Sequence, residues 1–529
     1  MIAQLQSGYT IDQEVNGLGV KRALVSTWDK SGLEELASSF RERDVEVIST
    51  GGTAKVLRGM GCTVVEVESV SGFPSLFGGR VKTLHPAVMG AILMRRDSKE
   101  DLSEADAHGI KPVDLVVVDL YPFEAASASG SPLEELVEKI DVGGVTLIRA
   151  AAKNFASVAV VVDKADYPKV AQLIRERGEI PLEVRRGLAV KAFRRSSFYD
   201  ALIGFELARR FEEEVIPLSA AEISLPLSLV SALRYGENPH QRASLFSSPL
   251  NPPLRVEKLQ GKELSYNNLL DLESALVGCH LLRERCACVI IKHNQPCGIA
   301  VGTTPKEAYA RAVEADPVSA FGGVVGFTRA VDGETAEEVT KSFKEAVVAP
   351  DYSSEALSIL RGRERLSILR ADPKDLRSRP SLRNTVFGIL VQEERETPMP
   401  ALTSMRWVSG DPQGLDEESA DVAWVASYLL KSNAVAIAKG GRTVGLCGGQ
   451  PNRVSAVAIA LQRAGELARG SVMVSDGFFP FPDSIELAAD SGVSFVIQPG
   501  GSVRDEEVIE AARARGVAMA ITGIRLFRH

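Results

Sequence analysis

Short apolar runs rich in Val and Ile alternate with helix-forming stretches along most of this chain. In its first part the apolar runs fall at residues 22–27, 45–50, 62–67, 115–119 and 157–162. A repeated order of strand, loop and helix is typical of a doubly wound parallel sheet, whose ligand-binding loops lie at the carboxyl ends of the strands. The alternation therefore predicts an α/β fold.

At 529 residues the chain is too long for a single hydrophobic core, so at least two domains are expected. We predict a first domain at residues 1–218 and a second at residues 219–529, with a charge-poor linker rich in Pro, Ser and Leu at residues 216–231. Strand and helix patterns continue in the second region and indicate two smaller α/β units, divided roughly at residues 360–400. Residues 353–380, rich in Arg, Asp and Ser, are predicted to be a connector.

The net charge of −8 argues against a general binder of nucleic acid or of anionic membranes, although local clusters of Lys and Arg can still bind phosphorylated substrates. Six cysteines, at positions 62, 279, 286, 288, 297 and 447, show no secreted disulfide framework and are expected to be reduced thiols. The first fifteen residues lack the pattern of a signal peptide, and no run of about 18 apolar residues occurs. A cytoplasmic protein is expected.

Three loops of the first domain carry groups suited to a phosphate. Two of them end a strand and open a helix, where backbone N–H groups and hydroxyls bind anions, and the third places two cations beside glycines. Each loop alone is more often a tight turn, whereas three at strand ends of one domain favour phosphate binding. These loops lie at residues 26–32, 49–53 and 78–86.

Downstream of these loops, Tyr121, Asp141 and Lys153 form a second collection of polar groups. Near a phosphate site, a Tyr, an Asp and a Lys can polarise a carbonyl oxygen and shuttle protons, as a ring closure with loss of water requires. The alternative is a surface salt bridge, with Tyr121 packed under a turn. The residue types alone favour this alternative.

The order of these motifs carries a family resemblance. The segments VSTWDKSG, STGGTA, GGRVKTLHPAV, DLYPF and IDVGGVTLIRAAAKN resemble the inosine monophosphate (IMP) cyclohydrolase domain of a bifunctional purine-synthesis family, which has a methylglyoxal-synthase-like fold. The resemblance implies that Tyr121, Asp141 and Lys153 line the centre of ring closure. It also implies that the three loops hold the nucleotide through Ser26, Lys30, Thr50, Gly51, Gly52, Thr53, Arg80, Lys82 and Thr83. Trp28 departs from the family, which usually has a small or hydroxylated residue there.

A turn at residues 233–241 opens the second region, and further on Lys292 and His293 end an apolar run. Pro296 and Gly298 interrupt the strand at this point. A His can take a proton from a weakly nucleophilic amine while a neighbouring cation stabilises the developing oxyanion, so this pair suits acyl transfer. A single His in a loop is more often solvated or capping, and the loop setting favours the catalytic interpretation only modestly.

The segment at residues 478–481, Phe-Phe-Pro-Phe, has too many aromatic side chains for a free loop. It is either a buried plug, which is commoner, or one wall of a pocket for a flat ring. Asp476, just before it, suits an acceptor for a pterin-like edge. Near the C-terminus, Arg525 is either a snorkelling side chain or a phosphate anchor.

As a set, the segments LRYGENPHQ, IKHNQPCG, SAFGG, KSN, SDGFFPF and GIRLFRH resemble the other half of the same family. That half is a formyltransferase acting on aminoimidazole carboxamide ribonucleotide (AICAR). The resemblance implies Lys292 and His293 as the catalytic pair and Asn433 as the residue that orients the reacting group. It also implies that the nucleotide is bound by Arg234, Tyr235, Arg453 and Arg525. The residues implied on the folate side are Asp476, Phe478, Phe479 and Phe481.

The same resemblance implies the reactions and the assembly. The second domain would transfer the formyl group of 10-formyltetrahydrofolate to AICAR, and the first would close formyl-AICAR to IMP, with no metal required. The second domain would hold two cytidine-deaminase-like α/β subdomains, with the transferase site between the chains of a homodimer. Neither nucleic acid nor a membrane would be a partner. Gln295, where the family usually has Asn, departs from the pattern close to the catalytic pair.

Two rival functions compete with this interpretation. A zinc deaminase needs His-x-Glu and Pro-Cys-x-x-Cys, but Cys297 is not followed by a second Cys at this spacing and His293 is not followed by the Glu. A nucleotide-binding regulator without turnover would keep the phosphate loops and lose the Lys–His pair or Lys153, all of which are present. Both rivals are disfavoured.

Overall fold

The structure, a computed structural model, describes residues 17–213, 218, 220–248, 254–377, 380–393 and 397–529. These residues form two compact units. The first runs to Ser228 and takes in Ser247 and Ser248, and the second comprises Leu229–Phe246 and the described residues from 254 onward. Residue 219, where the second domain is predicted to begin, lies outside the described residues. Residues 216 and 217 of the predicted linker lie outside them as well.

Strands and helices alternate through the first unit, as the apolar runs predict. The strands are β1 (Gly17–Gly19), β2 (Arg22–Ser26), β3 (Glu46–Ser49), β4 (Val64–Glu66), β5 (Leu115–Val118), β6 (Ala159–Val161) and β7 (Glu179–Pro181). The helices are α1 (Leu33–Glu42), α2 (Gly51–Gly59), α3 (Val67–Ser71), α4 (Pro86–Leu93), α5 (Lys99–Ala107), α6 (Phe123–Ala128), α7 (Leu133–Glu138), α8 (Gly143–Lys153), α9 (Tyr167–Arg177) and α10 (Leu182–Arg210).

Five of these strands form a parallel sheet in the order β4-β3-β2-β5-β6. Side chains alternate between the two faces of a strand, and both faces here are buried. Leu24 and Val116 belong to the core beneath α4, α8 and α10, whereas Val25 and Val117 belong to the core beneath α1 and α9. The predicted parallel sheet of this unit is confirmed.

The strand order of this sheet indicates at which point of its edge a ligand is expected to bind. The chain leaves β2 towards β3 and β4 on one side and returns to β5 and β6 on the other, so the topological switch lies between β2 and β5. Ser26 and Val118 pair at the carboxyl ends of these two strands. Ligands of such sheets bind in the crevice outside this point, so the loops after β2 and β5 are the expected site.

The second region contains more and shorter elements. Its strands are β8 (Ser228–Ala232), β9 (Ser244–Ser247), β10 (Glu257–Gln260), β11 (Ala287–Lys292), β12 (Gln295–Val301), β13 (Val324–Phe327), β14 (Ala346–Ala349), β15 (Ser367–Arg370), β16 (Ser381–Thr385), β17 (Gly388–Gln392), β18 (Arg406–Ser409), β19 (Val435–Lys439), β20 (Arg442–Cys447), β21 (Val472–Ser475), β22 (Phe495–Gln498) and β23 (Ala518–Ile521). Its helices are α11 (Tyr266–Leu281), α12 (Pro305–Ala315), α13 (Gly333–Thr340), α14 (Ser354–Arg361), α15 (Glu417–Leu429), α16 (Arg453–Ala464), α17 (Asp483–Asp490) and α18 (Asp505–Ala514).

Twelve of these strands form one sheet in which the same strand order occurs twice. The first half reads β10-β15-β14-β13-β11-β12 and the second, from the opposite edge, β18-β23-β22-β21-β19-β20. The halves meet where β12 pairs with β20. Gly298 in β12 and Gly445 in β20 occupy matching places, because a Cβ would come within 1.9 Å of the Ala312 carbonyl and 2.1 Å of the Ala460 carbonyl, respectively.

The connector predicted at residues 353–380 is wrong. This segment contains α14 and β15, and β15 pairs in parallel with β14. Leu360, Ile368 and Leu369 are buried in the core. The many Arg, Asp and Ser residues of the segment dominate its average composition, which hides the few apolar side chains that pack.

Candidate functional site

Two of the three predicted phosphate loops meet at the carboxyl edge of the first sheet. The Nζ of Lys30 donates to the carbonyl oxygens of Thr27 (2.9 Å) and Trp28 (2.7 Å). Thr53, in the first turn of α2, donates from Oγ1 to the same Thr27 carbonyl at 3.0 Å. Thr50 precedes this helix without capping it through its side chain. The start of α2 and the ammonium of Lys30 therefore form a cationic, N–H-rich edge of the kind that binds phosphate.

The third predicted phosphate loop is held by different partners. Arg80 forms an exposed ion pair with Glu138, and Lys82 is exposed. Thr83 is buried and lies at the start of α8, because a Cβ on Gly143 would come within 3.1 Å of its Oγ1. Ser26 is the last residue of β2, and the Ser26 carbonyl accepts the backbone N–H of Asp119.

Trp28 stands between the phosphate edge and Tyr121. The two rings meet edge to face with centroids 5.2 Å apart. The ammonium groups of Lys30 and Lys139 lie 5.9 and 5.0 Å from the Trp28 ring, within the range of a cation–π interaction. Its side chain thus contacts a ring and two cations, so this large residue is accommodated at the end of β2.

Asp141 lies beside Tyr121 at the amino end of α8. Its Oδ1 accepts the backbone N–H of Gly144 at 2.6 Å. Burial raises the pKa of the Asp141 carboxyl, the backbone N–H groups of Gly144 and Tyr121 oppose this, and the nearby Asp119 carboxylate raises it further. Burial also raises the pKa of Asp119. A half-buried carboxyl that holds its proton more tightly than usual suits a group that both accepts and donates a proton.

Lys153 is the one predicted ring-closure residue that the structure does not bring to this place. It is the last residue of α8, and its side chain is exposed. Ten steps along an α-helix span about 15 Å, so Lys153 and the Asp141 end of the helix lie far apart. The predicted cluster of three is therefore a pair, Tyr121 and Asp141, with a separate lysine.

In the second unit, Lys292 and His293 lie at the turn between β11 and β12. His293 and Asn294 form its two central residues, with φ of 54° and 59°. Such φ values are uncommon outside Gly, although Asn and His adopt them more readily than most residues, and groups on α11 hold this turn. Asp271 accepts the backbone N–H of Asn294 at 2.6 Å, and Ser274 donates to Asn294 Oδ1 at 2.5 Å. Lys292 donates from Nζ to the carbonyl of Phe321 at 2.7 Å.

Asp271 and Ser274 are the functional residues that the sequence analysis missed. They stand three residues apart on α11, so they share a face of the helix. Burial raises the pKa of Asp271, and the backbone N–H of Asn294, the charge of His293 and the His293 backbone N–H oppose this rise. Two polar residues at this spacing within the apolar segment LLDLESAL were the signal that could have found them.

Asn433 follows α15 in a buried network. Its Oδ1 accepts from Nη2 of Arg453 at 2.7 Å, and its Nδ2 donates to the carbonyl of Gln450 at 2.8 Å. Arg453 also donates to Ser475 Oγ at 2.8 Å and forms an ion pair with Asp476. Arg453 is 7% exposed and Asp476 is 0% exposed.

This network gives two predicted ligand-binding residues internal partners. Arg453, expected to bind the nucleotide, and Asp476, expected on the folate side, are occupied with each other and with Asn433 beneath the surface. A buried ion pair needs such additional hydrogen bonds to persist. The second carboxylate oxygen of Asp476 has no hydrogen-bond partner among the described residues. Both side chains support Asn433.

The aromatic segment at residues 478–481 contains both a buried plug and exposed ring surface, the two alternatives that the sequence left open. Phe479 is fully buried in the core with Ile485 and Val496, so it is a plug, which corrects its expected place on the folate side. Phe478 and Phe481 retain exposed surface and each meets a guanidinium. Arg525 lies 5.4 Å from the Phe478 ring and Arg504 lies 4.8 Å from the Phe481 ring.

Arg234 and Tyr235 are held against the same helix as the Lys–His turn. The guanidinium of Arg234 lies 4.8 Å from the ring centroid of Tyr235 and donates to its hydroxyl at 3.0 Å. The Tyr235 carbonyl accepts from the N–H of Tyr266, the first residue of α11. Because Asp271 and Ser274 stand further along α11, this one helix positions both segments.

Within the described ranges, no group of three or more His, Cys, Asp or Glu side chains is arranged to hold a metal ion. Burial raises the pKa of the Cys297 thiol to about 12, so this residue of the Pro-Cys pair is an apolar packing group. Of the helices in the described residues, none is long and apolar enough to cross a membrane.

Comparison with known proteins covers nearly the whole chain. Residues 151–463 match the family model "AICARFT/IMPCHase bienzyme", and residues 32–146 match the "MGS-like domain". Proteins named "Bifunctional purine biosynthesis protein PurH" are 43% identical in Persephonella marina and 44% identical in Aquifex aeolicus. In each case 96% of this chain and 100% of the relative are covered. A solved structure titled "Crystal structure of ForH" is 38% identical over 36% of this chain and 96% of its own, with a TM-score of 0.32, too low to inform the fold. The chain belongs to the AICARFT/IMPCHase bienzyme family, with an MGS-like domain at its amino end.

Proposed function

We propose a division of labour between named residues for the two activities of this chain. The chain is a bifunctional enzyme of purine biosynthesis, an AICAR formyltransferase and an IMP cyclohydrolase. The observation that carries this conclusion is 43% identity over 96% of the chain and the full length of a bifunctional relative. Fold and motifs agree with it, since each half presents its own polar site.

Formyl transfer is assigned to the turn of Lys292 and His293. The 5-amino group of AICAR attacks the formyl carbon of 10-formyltetrahydrofolate, and His293 accepts the amine proton. Lys292 stabilises the tetrahedral oxyanion. The bond from the formyl carbon to the folate nitrogen then breaks, and this nitrogen takes a proton. Support comes from the exposed His293 and from a Lys292 ammonium that uses one N–H on the Phe321 carbonyl and retains two others.

Asn433 is proposed to act as a hydrogen-bond donor. Its Oδ1 already accepts from Arg453, and one Nδ2–H is used on the Gln450 carbonyl. The second Nδ2–H is therefore the group that it can offer to a formyl or carboxamide oxygen. A donor fixed in advance costs no reorganisation when negative charge develops on that oxygen.

Ligand binding around this turn is assigned by charge and ring surface. Arg234, Tyr235 and Arg525 are proposed to hold the nucleotide, since two of them carry a charge suited to its phosphate. Phe478 and Phe481 retain exposed ring surface suited to the flat pterin of the formyl donor. The buried Arg453–Asp476 pair is assigned to positioning Asn433 and not to ligand contact.

Ring closure is assigned to the crevice between β2 and β5. Ser26, Lys30, Thr50, Gly51, Gly52 and Thr53, with Arg80, Lys82 and Thr83, are proposed to hold the nucleotide of formyl-AICAR. The carboxamide nitrogen then attacks the formyl carbon, and water leaves after proton transfer. Tyr121 and Asp141 are proposed to stabilise the carbonyl oxygen and to shuttle protons, which the raised pKa of Asp141 supports. Lys153 is proposed to contribute from the far end of α8.

The boundaries at residues 1–218 and 219–529 are proposed as those of the two domains. Two cytidine-deaminase-like subdomains, divided at about residues 360–400, are supported by the strand order that occurs twice in the second sheet. A homodimer with the transferase site between chains is proposed as well. In the β16–β17 hairpin Val386 is 94% and Phe387 96% exposed, the kind of apolar surface that a partner chain covers. A cytoplasmic location is proposed from the acidic composition and the reduced cysteines.

One assay tests the transferase assignment. Purified enzyme is mixed with AICAR and 10-formyltetrahydrofolate, and tetrahydrofolate and IMP are followed by absorbance. Wild type is expected to form both products, whereas His293→Ala is expected to form neither from AICAR and still to convert added formyl-AICAR to IMP. Full IMP production from AICAR by His293→Ala would overturn the role of His293. An inactive wild type would overturn the proposed function itself.

A further inference from the structure

The C-terminal segment bonds to both halves of the second sheet beside the transferase residues. Nη2 of Arg528 donates to Ser274 Oγ at 3.2 Å, and Nη1 donates to the carbonyl of Leu429 at 3.4 Å. Its own carbonyl accepts the N–H of Ser432 at 3.0 Å. Ser274 lies on α11 in the first half, whereas Leu429 and Ser432 lie at the end of α15 in the second. One residue thus links the two halves.

On the first side, the bond from Arg528 leads to the turn of His293. Ser274 donates its hydroxyl proton to Asn294 Oδ1. A hydroxyl has one proton and two lone pairs, so donation from Arg528 into the Ser274 oxygen leaves that proton for Asn294. Arg528 therefore sets the direction of the hydroxyl that supports the turn. Both central residues of the turn have left-handed φ, an uncommon conformation that this support stabilises.

On the second side, the bonds lead to Asn433. Ser432, whose N–H is held by the Arg528 carbonyl, directly precedes Asn433. Leu429 ends α15, where a cation on the last carbonyls is favourable because of the helix dipole. The segment that carries Arg528 is itself anchored, since the buried Leu526 donates its N–H to the carbonyl of Asp476 at 2.9 Å.

We propose that Arg528 is a positioning residue for formyl transfer, which holds the His293 turn and the Asn433 segment in register across the two halves of the sheet. The proposal rests on the proposed roles of these two residues. The amine of AICAR is a weak nucleophile, so the reaction depends on geometry, and a misplacement of about 1 Å costs up to about 10²-fold in rate. Arg528 acts through Ser274 and Ser432 and touches no substrate.

The test substitutes Arg528→Met, which keeps much of the side-chain length and the backbone carbonyl and removes the donors. We expect kcat for formyl transfer to fall by about 10- to 100-fold, with the KM values for AICAR and 10-formyltetrahydrofolate almost unchanged. Cyclisation of added formyl-AICAR should remain at the wild-type rate, which reports that the first unit is folded, and the unchanged KM values report that the second unit still binds its substrates. Arg528→Lys should restore part of kcat, since one ammonium can serve Ser274 or Leu429.

A matched control is Arg329→Met. Arg329 also donates to backbone carbonyls, those of Arg283, Glu284 and Thr328, but none of these bonds reaches the His293 turn or Asn433. This variant should lose similar bonds and keep both kcat values. An equal loss of transferase kcat in Arg329→Met and Arg528→Met would overturn the proposal, because it would mean general destabilisation.

A double-mutant cycle with Ser274→Ala separates positioning from substrate contact. If Arg528 acts through Ser274, the double variant should be little worse than the poorer single variant. Additive losses, a raised KM with preserved kcat, or an unchanged kcat in Arg528→Met would each overturn the proposal while wild type remains active. A wild type that cannot formylate AICAR would instead refute the proposed function, so the two failures are distinguishable.

Discussion

The ammonium of Lys292 donates a 2.7 Å hydrogen bond to the backbone carbonyl of Phe321. Phe321 belongs to the SAFGG segment, and its neighbour Gly322 donates to the carbonyl of Phe343 at 2.8 Å. The lysine is thus held by a neutral oxygen on a loop that is itself fixed. A neutral acceptor orients the ammonium without neutralising it, so the full charge stays available for a developing oxyanion.

Replacing Lys292 should separate the two activities. Lys292→Met removes the charge that stabilises the oxyanion, and we expect formyl transfer to slow by about 10²- to 10³-fold. Cyclisation of added formyl-AICAR should be unaffected, because we assign it to the first unit. Steady-state absorbance assays of the two half-reactions measure both rates. Lys341→Met, which loses an exposed pair with Glu338, is the control and should change neither. Normal transfer by Lys292→Met would contradict the assignment.

Asp141 links cyclisation to stability. Burial raises its pKa, so the native carboxyl binds a proton at pH values where the unfolded one, with a pKa of 3.8, has lost it. The free energy of unfolding therefore decreases as pH rises from 3.8 through the raised native value. Asp141→Asn keeps an acceptor for the Gly144 N–H and removes the buried charge. We expect a higher Tm at neutral pH, no gain below pH 3.8, and cyclisation slowed by about 10²-fold.

Calorimetry at neutral and acidic pH, with a cyclisation assay on formyl-AICAR, checks this prediction. Glu183→Gln provides the control, since this exposed carboxylate lies in the first turn of α10 and forms a long pair with Arg186, and it should leave the rate unchanged without raising Tm. A lower Tm for Asp141→Asn at neutral pH would show that the carboxylate is stabilising, contrary to the burial argument.

The separation of Lys153 from Asp141 predicts how their losses combine. Lys153→Ala should leave formyl transfer intact and slow cyclisation, so formyl-AICAR accumulates. Because α8, about 15 Å long, separates Lys153 from the end of the helix where Asp141 lies, their effects on the activation free energy should add within about 0.5 kcal/mol. Tyr121→Phe and Asp141→Asn, whose residues adjoin, should be coupled. Rates of the single and double variants decide this, and strong coupling between Lys153 and Asp141 would mean that the lysine reaches the same centre.

The exposed β16–β17 hairpin predicts an assembly phenotype. Phe387→Ser should weaken a dimer whose interface buries this tip, and formyl transfer should fall with dimer content while cyclisation is kept. Light scattering at several protein concentrations, alongside both assays, measures this. Leu102→Ser, an exposed leucine on α5, serves as the control and should leave the mass unchanged. A fully dimeric, fully active Phe387→Ser would argue against the hairpin as part of the interface.

Local patterns predicted the elements of the first unit well. The apolar runs became β2 to β6 because a parallel strand buried on both faces must be apolar throughout, a property that neighbouring residues display without tertiary information. The loops at the carboxyl ends of these strands followed from the same order. The prediction of a connector at residues 353–380 was wrong because the few apolar side chains that pack there are recognised only when their neighbours in the fold are known.

The sequence by itself determined the family, the α/β fold of the first unit and the polar residues from which the sites are built, because these depend on residue type and order. Only the tertiary structure decided which of those residues meet. It placed Lys292 on the Phe321 carbonyl, separated Lys153 from Asp141, and buried Arg453 with Asp476 under Asn433. These placements depend on helix length, on strand pairing and on the exclusion of water. Strand pairing and burial bring together residues that lie far apart in the chain, so local sequence patterns do not reveal them.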